Sequence, residues 1–390
     1  METTLYLQLS ALMFLEYAVW GAWMPVLAPR LLGPLKMTGK QTGWIYATLP
    51  LASMISPLIA GQLADKYVDT RWVLAVCHGL GVLLLFVAAR TTKFRPLFCV
   101  MLGYSMLYAA TIPLVNSLMF SHLTDAGAQS PKIFIWAPVA WALVGYMLTG
   151  WRNLHKGESD GSDCLKFAAI LSAIMAVVCV IQPATPPKGS EGVPMFQALS
   201  MLSDPTFAVF IVASLIVAGM QQFYFLGTGQ FLQDQGVSGK NVPGIMGIAQ
   251  AAQALATLFL LGLFFNQLGA KWTLTLGAAS WMLLFGLYTF KAPKPLIIGG
   301  QIFHGLAYVF FMIAGQMYVN AVAPPEIVGS AQALIILVTA GLAMFFGTQA
   351  AGFVMDKSSV AGKFNWSKVF MVPLLATLAG ALALLLAFRP

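Results

Sequence analysis

The sequence predicts an all-α membrane protein with twelve transmembrane helices in two six-helix, pseudo-symmetric halves, and three observations predict it. Apolar residues make up 59% of the chain and charged residues only 9%, against about 25% charged residues in soluble chains. So thin a charged shell cannot hide that much apolar surface from water, so lipid is the solvent for most of the fold. Apolar runs of the length that crosses a bilayer, about 20 residues, recur from end to end. A polar stretch at 185–204, T-P-P-K-G-S-E-G-V-P-M-F-Q-A-L-S-M-L-S-D, divides those runs into two groups of six and has the Pro/Gly/Ser composition of a linker.

In order, hydropathy places spans at 5–28, 43–64, 72–90, 96–118, 133–150 and 165–184, then at 205–227, 241–265, 272–290, 295–318, 328–352 and 367–388. The first run has no basic segment before it and no small-residue cleavage site, so it reads as a retained helix and not a signal peptide. The halves are expected at 1–184 and 205–390, with 185–204 as a cytoplasmic linker. An internal echo supports them: T-R-W-V-L at 70–74 and A-K-W-T-L at 270–274 each stand just before the third helix of a half. Orientation is less simple. With the N-terminus inside, the cytoplasmic side holds Lys66, Arg71, Lys132, Lys188, Lys271 and Arg389, and the rest of the 21 Lys and Arg fall outside or at outer helix ends. That distribution opposes the positive-inside rule.

Composition also excludes functions. The net charge of +8 is spread over loops, without the basic stripe that nucleic-acid binding requires. Cys77, Cys99, Cys164 and Cys179 show no paired spacing, so neither a disulfide framework nor a zinc site is expected. An enzyme would need a nucleophile or a cluster of His and acidic residues on neighbouring helices; four scattered histidines and one carboxylate within the spans do not supply one. A receptor would need a soluble domain, and no stretch outside the spans is long enough. The expectation is no enzyme, no metal, no cofactor and a monomer.

Between spans two and three stands G-Q-L-A-D-K-Y-V-D-T-R, residues 61–71. This resembles the loop signature of the major facilitator superfamily, G-x-L-A-D-[RK]-x-x-x-[RK], and two parallel six-helix repeats are the organisation of that architecture. Gly61 is expected to permit close helix packing. Asp65, at a helix end, can accept from exposed amides or pair with a cation, and with Lys66 and Arg71 it forms the expected gating motif. The plainer alternative is an amphipathic turn at a helix end.

Further blocks carry a closer resemblance. F-L-E-Y-A-V-W-G-A-W (14–23) is similar to a pattern F-L-Q-x-x-x-W-G-x-W, and R-W-V-L-A-V-C-H (71–78) to W-V-x-A-x-C-H. Y-A-A-T-I-P-L-V-N-S (108–117), G-S-A-Q (329–332) and Asn365-Trp366 also have counterparts. Together they resemble the nucleoside:proton symporter family of that superfamily over nearly the whole chain. The chain departs from the family where a polar site would be: P-K-I-F-I-W-A-P (131–138) keeps Trp136 but has Phe134 at the arginine position, and Gln253 and Val309 stand where spans eight and ten carry acids. Those groups would serve proton coupling and substrate contacts.

An ionisable group inside a span is a functional candidate by default, because burying its charge is expensive. Glu16 is the one carboxylate well inside an apolar run and the expected proton carrier; Trp20 and Trp23 share its helix face at i+4 and i+7. The alternative is a permanent bond to a neighbouring helix. Span seven offers Gln222, Tyr224 and Phe225, with Gly227 and Gly229 able to loosen its outer end. Span eight offers Gln250 and Gln253 on one face. Span ten offers His304, the second candidate proton carrier because histidine titrates near neutral pH, with Tyr308 and Gln316 at helical spacing. Asn116 joins the expected substrate contacts, as do Trp20 and Trp136. His78 is expected to be structural, since span three lies outside the central cavity in the architecture resembled. The resemblance implies a bacterial inner-membrane secondary transporter that moves a nucleoside-like solute by alternating access with proton symport. The alternative is a facilitator or porter for a sugar or other polar metabolite.

Overall fold

The computed structural model describes residues 2–155, 160–187, 194–324, 327–360 and 362–390, without the side chains of Asp65, 126–128, 194–197 and Gly329. The expected linker falls in part, at 188–193, outside the described residues; Pro194–Ser203 forms a 3-10 helix. The helices are α1 (Thr3–Trp23), α2 (Leu27–Leu32), α3 (Gly39–Lys66), α4 (Thr70–Arg90), α5 (Phe94–Ser121), α6 (Ala126–Phe134), α7 (Trp136–Leu154) and α8 (Asp163–Val180). There follow α9 (Pro205–Asp234), α10 (Val242–Phe259), α11 (Leu261–Thr289), α12 (Lys294–Gly299), α13 (Gln301–Ala307), α14 (Ala314–Val322), α15 (Val328–Ile336), α16 (Met344–Lys357) and α17 (Trp366–Ala387). One antiparallel hairpin, β1 (Ser359–Val360) with β2 (Lys363–Phe364), precedes α17.

Among the described residues, eleven helical stretches are long and apolar enough to cross a bilayer. They match eleven of the expected spans, and most extend a few residues beyond the hydropathy windows. The expected ninth span, 272–290, lies in α11 and is not among the eleven. That stretch is helical, but it opens on Lys271 and carries Trp272, Thr273, Thr275 and Trp281, which lower its apolar character. Within α11 the helix axis breaks at Gly269, where φ is +73°, a conformation that costs glycine nothing and other residues a steric penalty.

Several helix starts are set by side chains. The Asp69 carboxylate accepts from Arg71 N at 3.1 Å, that of Asp204 from Thr206 N at 2.7 Å ahead of Pro205, and the Asn365 amide oxygen from Lys368 N at 3.2 Å. Each satisfies an amide that the helix leaves without a partner.

By contacts the chain forms two compact units, Met1–Met37 with Leu51–Glu191 and Val237–Gly247, and Thr38–Pro50 with Gly192–Gly236 and Ile248–Pro390. In the first, α1 packs on α7 and α8, and α4 on α5 and α8. Leu12, Met13, Val19, Trp23, Met101, Tyr104 and Met175 fill its core, while Val76, Leu83, Ile170 and Val177 face outward. In the second, α9 packs on α16 and α17, and α11 on α17 and α13; Phe207, Phe223, Phe231, Trp281 and Phe285 are buried, and Leu255, Phe259 and Leu386 face outward. Such outward aliphatic and aromatic faces are what lipid requires and water would penalise.

One end of the first unit is pinned by buried arginines. Arg30, 1% exposed, donates to Asp160 Oδ2 at 2.6 Å and to the Ala89 carbonyl at 2.9 Å. Arg152 donates twice to Asp163 at 2.7 Å, and also to the Gly239 carbonyl at 3.2 Å. Partial burial raises the Asp160 carboxyl, but hydrogen bonds from Ser162 and the Arg30 charge outweigh it and bring the group down to about 2. A lowered carboxyl contributes stability that is complete above its ordinary value of 3.8 and lost as pH falls through about 2. The Asp160 side chain is 58% exposed, so the gain stays near the surface-pair range, about 1 kcal/mol or less. Asp160→Asn is therefore expected to melt earlier than the wild type in detergent at neutral pH, with the gap closing between pH 4 and 2; a gap independent of pH would remove the ion pair from the account.

Candidate functional site

Glu16 is fully buried on α1. Its Oε2 lies 2.9 Å from Nε2 of His78 on α4, and its Oε1 accepts from Thr111 Oγ1 on α5 at 2.7 Å. Its backbone carbonyl accepts from the Tyr108 hydroxyl at 2.7 Å. His78, 2% exposed, places Nδ1 at 3.2 Å from Ser172 Oγ on α8, and the Ser172 hydroxyl donates to the His78 carbonyl at 3.0 Å. One carboxylate thus joins four helices. The expectation of a merely structural His78 meets a direct bond to the expected proton carrier. Sequence reasoning missed His78, Thr111 and Ser172 as partners of Glu16. The signal available was the rule applied to Glu16 itself, since His78 is also an ionisable group deep in an apolar run.

Trp20 lies one turn on from Glu16, with its ring 6.3 Å from Tyr108 and 5.2 Å, edge-on, from Trp141. Its indole Nε1 is buried with no hydrogen-bond partner among the described residues, as is Asn116 Oδ1 on α5. Trp23 packs edge-on to Tyr104 at 6.1 Å. Trp136, opening α7, donates to the Tyr6 hydroxyl at 3.3 Å and sits edge-on to Phe14 at 6.3 Å.

The loop after α3 shows a different use of the expected gating motif. A Cβ built on Gly61 meets no described atom within 4 Å, so the close packing expected there is not seen. The Asp65 side chain lies outside the described residues, and Lys66 is exposed at the end of α3. Arg71 donates to the Gln182 carbonyl at 3.2 Å and lies 3.6 Å from Asp69. Asp69 also accepts from Thr185 N at 3.1 Å, tying the start of α4 to the chain beyond α8.

A second cluster lies in the second unit. His304 on α13 is fully buried, with Tyr224 at 4.1 Å, Trp281 at 4.8 Å and Phe225 at 5.8 Å between ring centroids. Neither ring nitrogen has a hydrogen-bond partner among the described residues. The Tyr224 hydroxyl donates to Gln301 Oε1 at 2.9 Å, and Gln301 Nε2 donates to the Tyr288 hydroxyl at 2.6 Å. Gln222, on the face of α9 that also carries Phe225, is fully buried with neither amide atom partnered among the described residues. Gln250 and Gln253 are buried on α10. Trp281 and Gln301, which this cluster uses, were not legible as site residues. Tyr308 opens a π-helical stretch, Tyr308–Ile313, directly after the His304 turn, a distortion that often marks functional segments. Gln316 is exposed, and its carbonyl accepts from Gln332.

Gly305, next to His304, lets α13 approach α10 backbone to backbone: a Cβ there would collide with the Ala249 carbonyl and lie 2.6 Å from Gln253 N. Gly305→Ala is expected to force α13 off α10 at a cost of about 1–3 kcal/mol, lowering the melting temperature in detergent; an unchanged melt would mean that the helices part without loss.

The sequence model of the nucleoside H+ symporter family matches residues 1–390. The chain is 27% identical over 389 residues to the nucleoside permease NupG of Escherichia coli (94% of this chain, 92% of the permease). It is 25% identical over 385 residues to the xanthosine permease of the same organism (94% of this chain, 91% of that one). The crystal structure of the nucleoside transporter NupG superposes with a TM-score of 0.87 at 25% identity, covering 99% of each chain.

Proposed function

The chain belongs to the nucleoside H+ symporter family, and we propose that it carries a nucleoside across the bacterial inner membrane by alternating access, driven by a co-transported proton. Its all-α membrane fold is that of the major facilitator transporters, and we count the stretch of α11 after Gly269 as the twelfth span. The gating motif keeps its proposed role at the loop of residues 61–71.

One observation carries the substrate reading. Among the described residues the buried Gln222 amide has no partner for its oxygen or its nitrogen, and buried polar groups are hydrogen-bonded unless something else is to meet them. A nucleoside offers ribose hydroxyls and base-edge donors and acceptors to such an amide, and its flat base suits stacking. Tyr224, Phe225 and His304 supply aromatic faces, with Gln250 and Gln253 as further amides; Trp20, Asn116 and Trp136 are the corresponding contacts in the first unit. This combination favours a nucleoside over a sugar, which has no flat aromatic ring to stack.

The proton is assigned to Glu16. His304, the other candidate, has no carboxylate or carbonyl hydrogen-bonded to either nitrogen among the described residues, and an unpaired imidazolium there would be costly to bury. Neutral, it serves as a stacking surface.

Uptake of labelled uridine into proteoliposomes tests both parts. Accumulation should follow an imposed pH gradient; uptake that ignores the gradient would leave a facilitator. Glu16→Gln should abolish accumulation while sparing exchange, and unchanged accumulation would move the proton site to His304. Gln222→Ala should weaken uridine binding about two- to tenfold, the range of one hydrogen bond to a neutral group; unaltered affinity would place the substrate elsewhere.

A further inference from the structure

The hydrogen bonds around Glu16 and His78 show how this buried pair can hold a proton. The Ser172 hydroxyl reaches both the His78 carbonyl, at 3.0 Å, and His78 Nδ1, at 3.2 Å, and its one proton can turn to either. Turned to the carbonyl, it leaves the Ser172 oxygen to accept from Nδ1; turned to Nδ1, it leaves the imidazole hydrogen on Nε2. A neutral imidazole protonated at Nδ1 presents a lone pair at Nε2. Glu16 Oε2 lies 2.9 Å from that nitrogen, and a bare carboxylate also presents a lone pair. In the first arrangement a further proton must lie between Oε2 and Nε2, and the pair is neutral; in the second a bare carboxylate accepts from Nε2–H, and the pair carries one net negative charge. Thr111 Oγ1 reaches the other oxygen, Oε1, at 2.7 Å and the Tyr108 carbonyl at 2.6 Å, and supplies nothing to this gap.

We propose that Glu16 and His78 together form the proton-carrying site, one proton being held between Glu16 Oε2 and His78 Nε2 in the loaded state. The proposal rests on the proton-symport reading and adds His78 to it. Loaded, the pair is neutral overall, whether written as acid and imidazole or as carboxylate and imidazolium, which suits a site sealed at 0% and 2% exposure. Discharge passes a proton to water of the receiving compartment; the imidazole hydrogen then sits on Nε2, the Ser172 hydroxyl turns to Nδ1, and a bare carboxylate is left accepting from Nε2–H. The pair then carries a buried negative charge, which is costly away from water. Loss of the proton thereby favours a conformation that lets water reach the pair, which links the protonation state to a movement of the fold.

The surroundings isolate this pair. The titratable groups that feel the Glu16 charge are Tyr104 and Tyr108 on α5, Cys77 on α4 and Cys179 on α8, with Tyr17 of α1 beside Tyr108. The ionic side chains of the packed helices stand toward their ends: Arg71 and Arg90 on α4, Arg95 on α5, Lys132 on α6, Arg152 on α7, and Asp163 and Lys166 on α8. No second carboxylate of those helices lies near to take over the proton.

The test uses the full protein in proteoliposomes with an internal pH-sensitive dye and labelled uridine. One-proton symport against a unit pH gradient accumulates uridine up to about tenfold, and the dye reports internal acidification as uridine enters. His78→Gln should remove the accumulation and the acidification together. Retained accumulation with full acidification would return His78 to a structural role while leaving symport intact. A wild type that moves uridine without acidification would overturn symport and this pair with it. Infrared titration of the wild type gives a reading that does not depend on a variant folding. With the carboxyl band assigned through Glu16→Gln and the imidazole bands through labelled histidine, both should change at one shared midpoint, as coupled groups do. Independent midpoints would overturn the shared proton.

Discussion

In lipid a polar group that leaves water must find its partner inside the protein, and the burial of Glu16 is where this chain meets that demand most severely. The helices satisfy their own backbones, so the constraint falls on side chains. Glu16 is answered from α4 by His78, from α5 by Thr111 and Tyr108, and through His78 from α8 by Ser172. Four helices of the first unit are therefore registered against one carboxylate. Arg30 and Arg152 obey the same rule at one end of the unit, each held by an aspartate and a backbone carbonyl.

The second unit meets the constraint differently. Gln301 satisfies Tyr224 and Tyr288 at once, yet among the described residues Gln222 and His304 keep unpartnered polar atoms, His304 amid aromatic rings. Neutral amides and imidazoles tolerate this far better than a charge would, at a cost of about 1–3 kcal/mol per unmet group. A set of neutral, unmet donors and acceptors beside flat rings is stable enough to exist and reactive enough to prefer a ligand.

Hydropathy made the helices legible because lipid imposes the same apolar run at every crossing. Windows such as 72–90 and 96–118 sit inside Thr70–Arg90 and Phe94–Ser121, the helices running past the apolar windows at one or both ends. Its signal is weakest at 272–290 for a physical reason: Lys271 and the Trp and Thr residues of α11 dilute a stretch that is helical all the same. The repeated T-R-W-V-L and A-K-W-T-L marked real starts, one opening α4 and the other following the Gly269 kink. Glu16 and Gln222 stood out as polar residues in apolar runs. Their partners did not, because Thr111, Ser172 and Gln301 are common inside spans and only tertiary contact distinguishes them. Gly61 fell the other way, a motif residue whose expected packing partner is not there.

The position of Glu16 carries the last step. It stands where the pattern that the first helix resembles has a glutamine, and that resemblance would put acids where Gln253 and Val309 stand. A glutamine at position 16 would bond to His78 without taking up a proton, since an amide does not titrate. A glutamate there, beside an imidazole that Ser172 can serve in either tautomer, can take up a proton and holds a buried charge without one. That difference gives the bond between the two helices a group that can be loaded and discharged, which is what the proposed pair requires. Proton handling and solute recognition can accordingly be served by different sets of side chains in this protein.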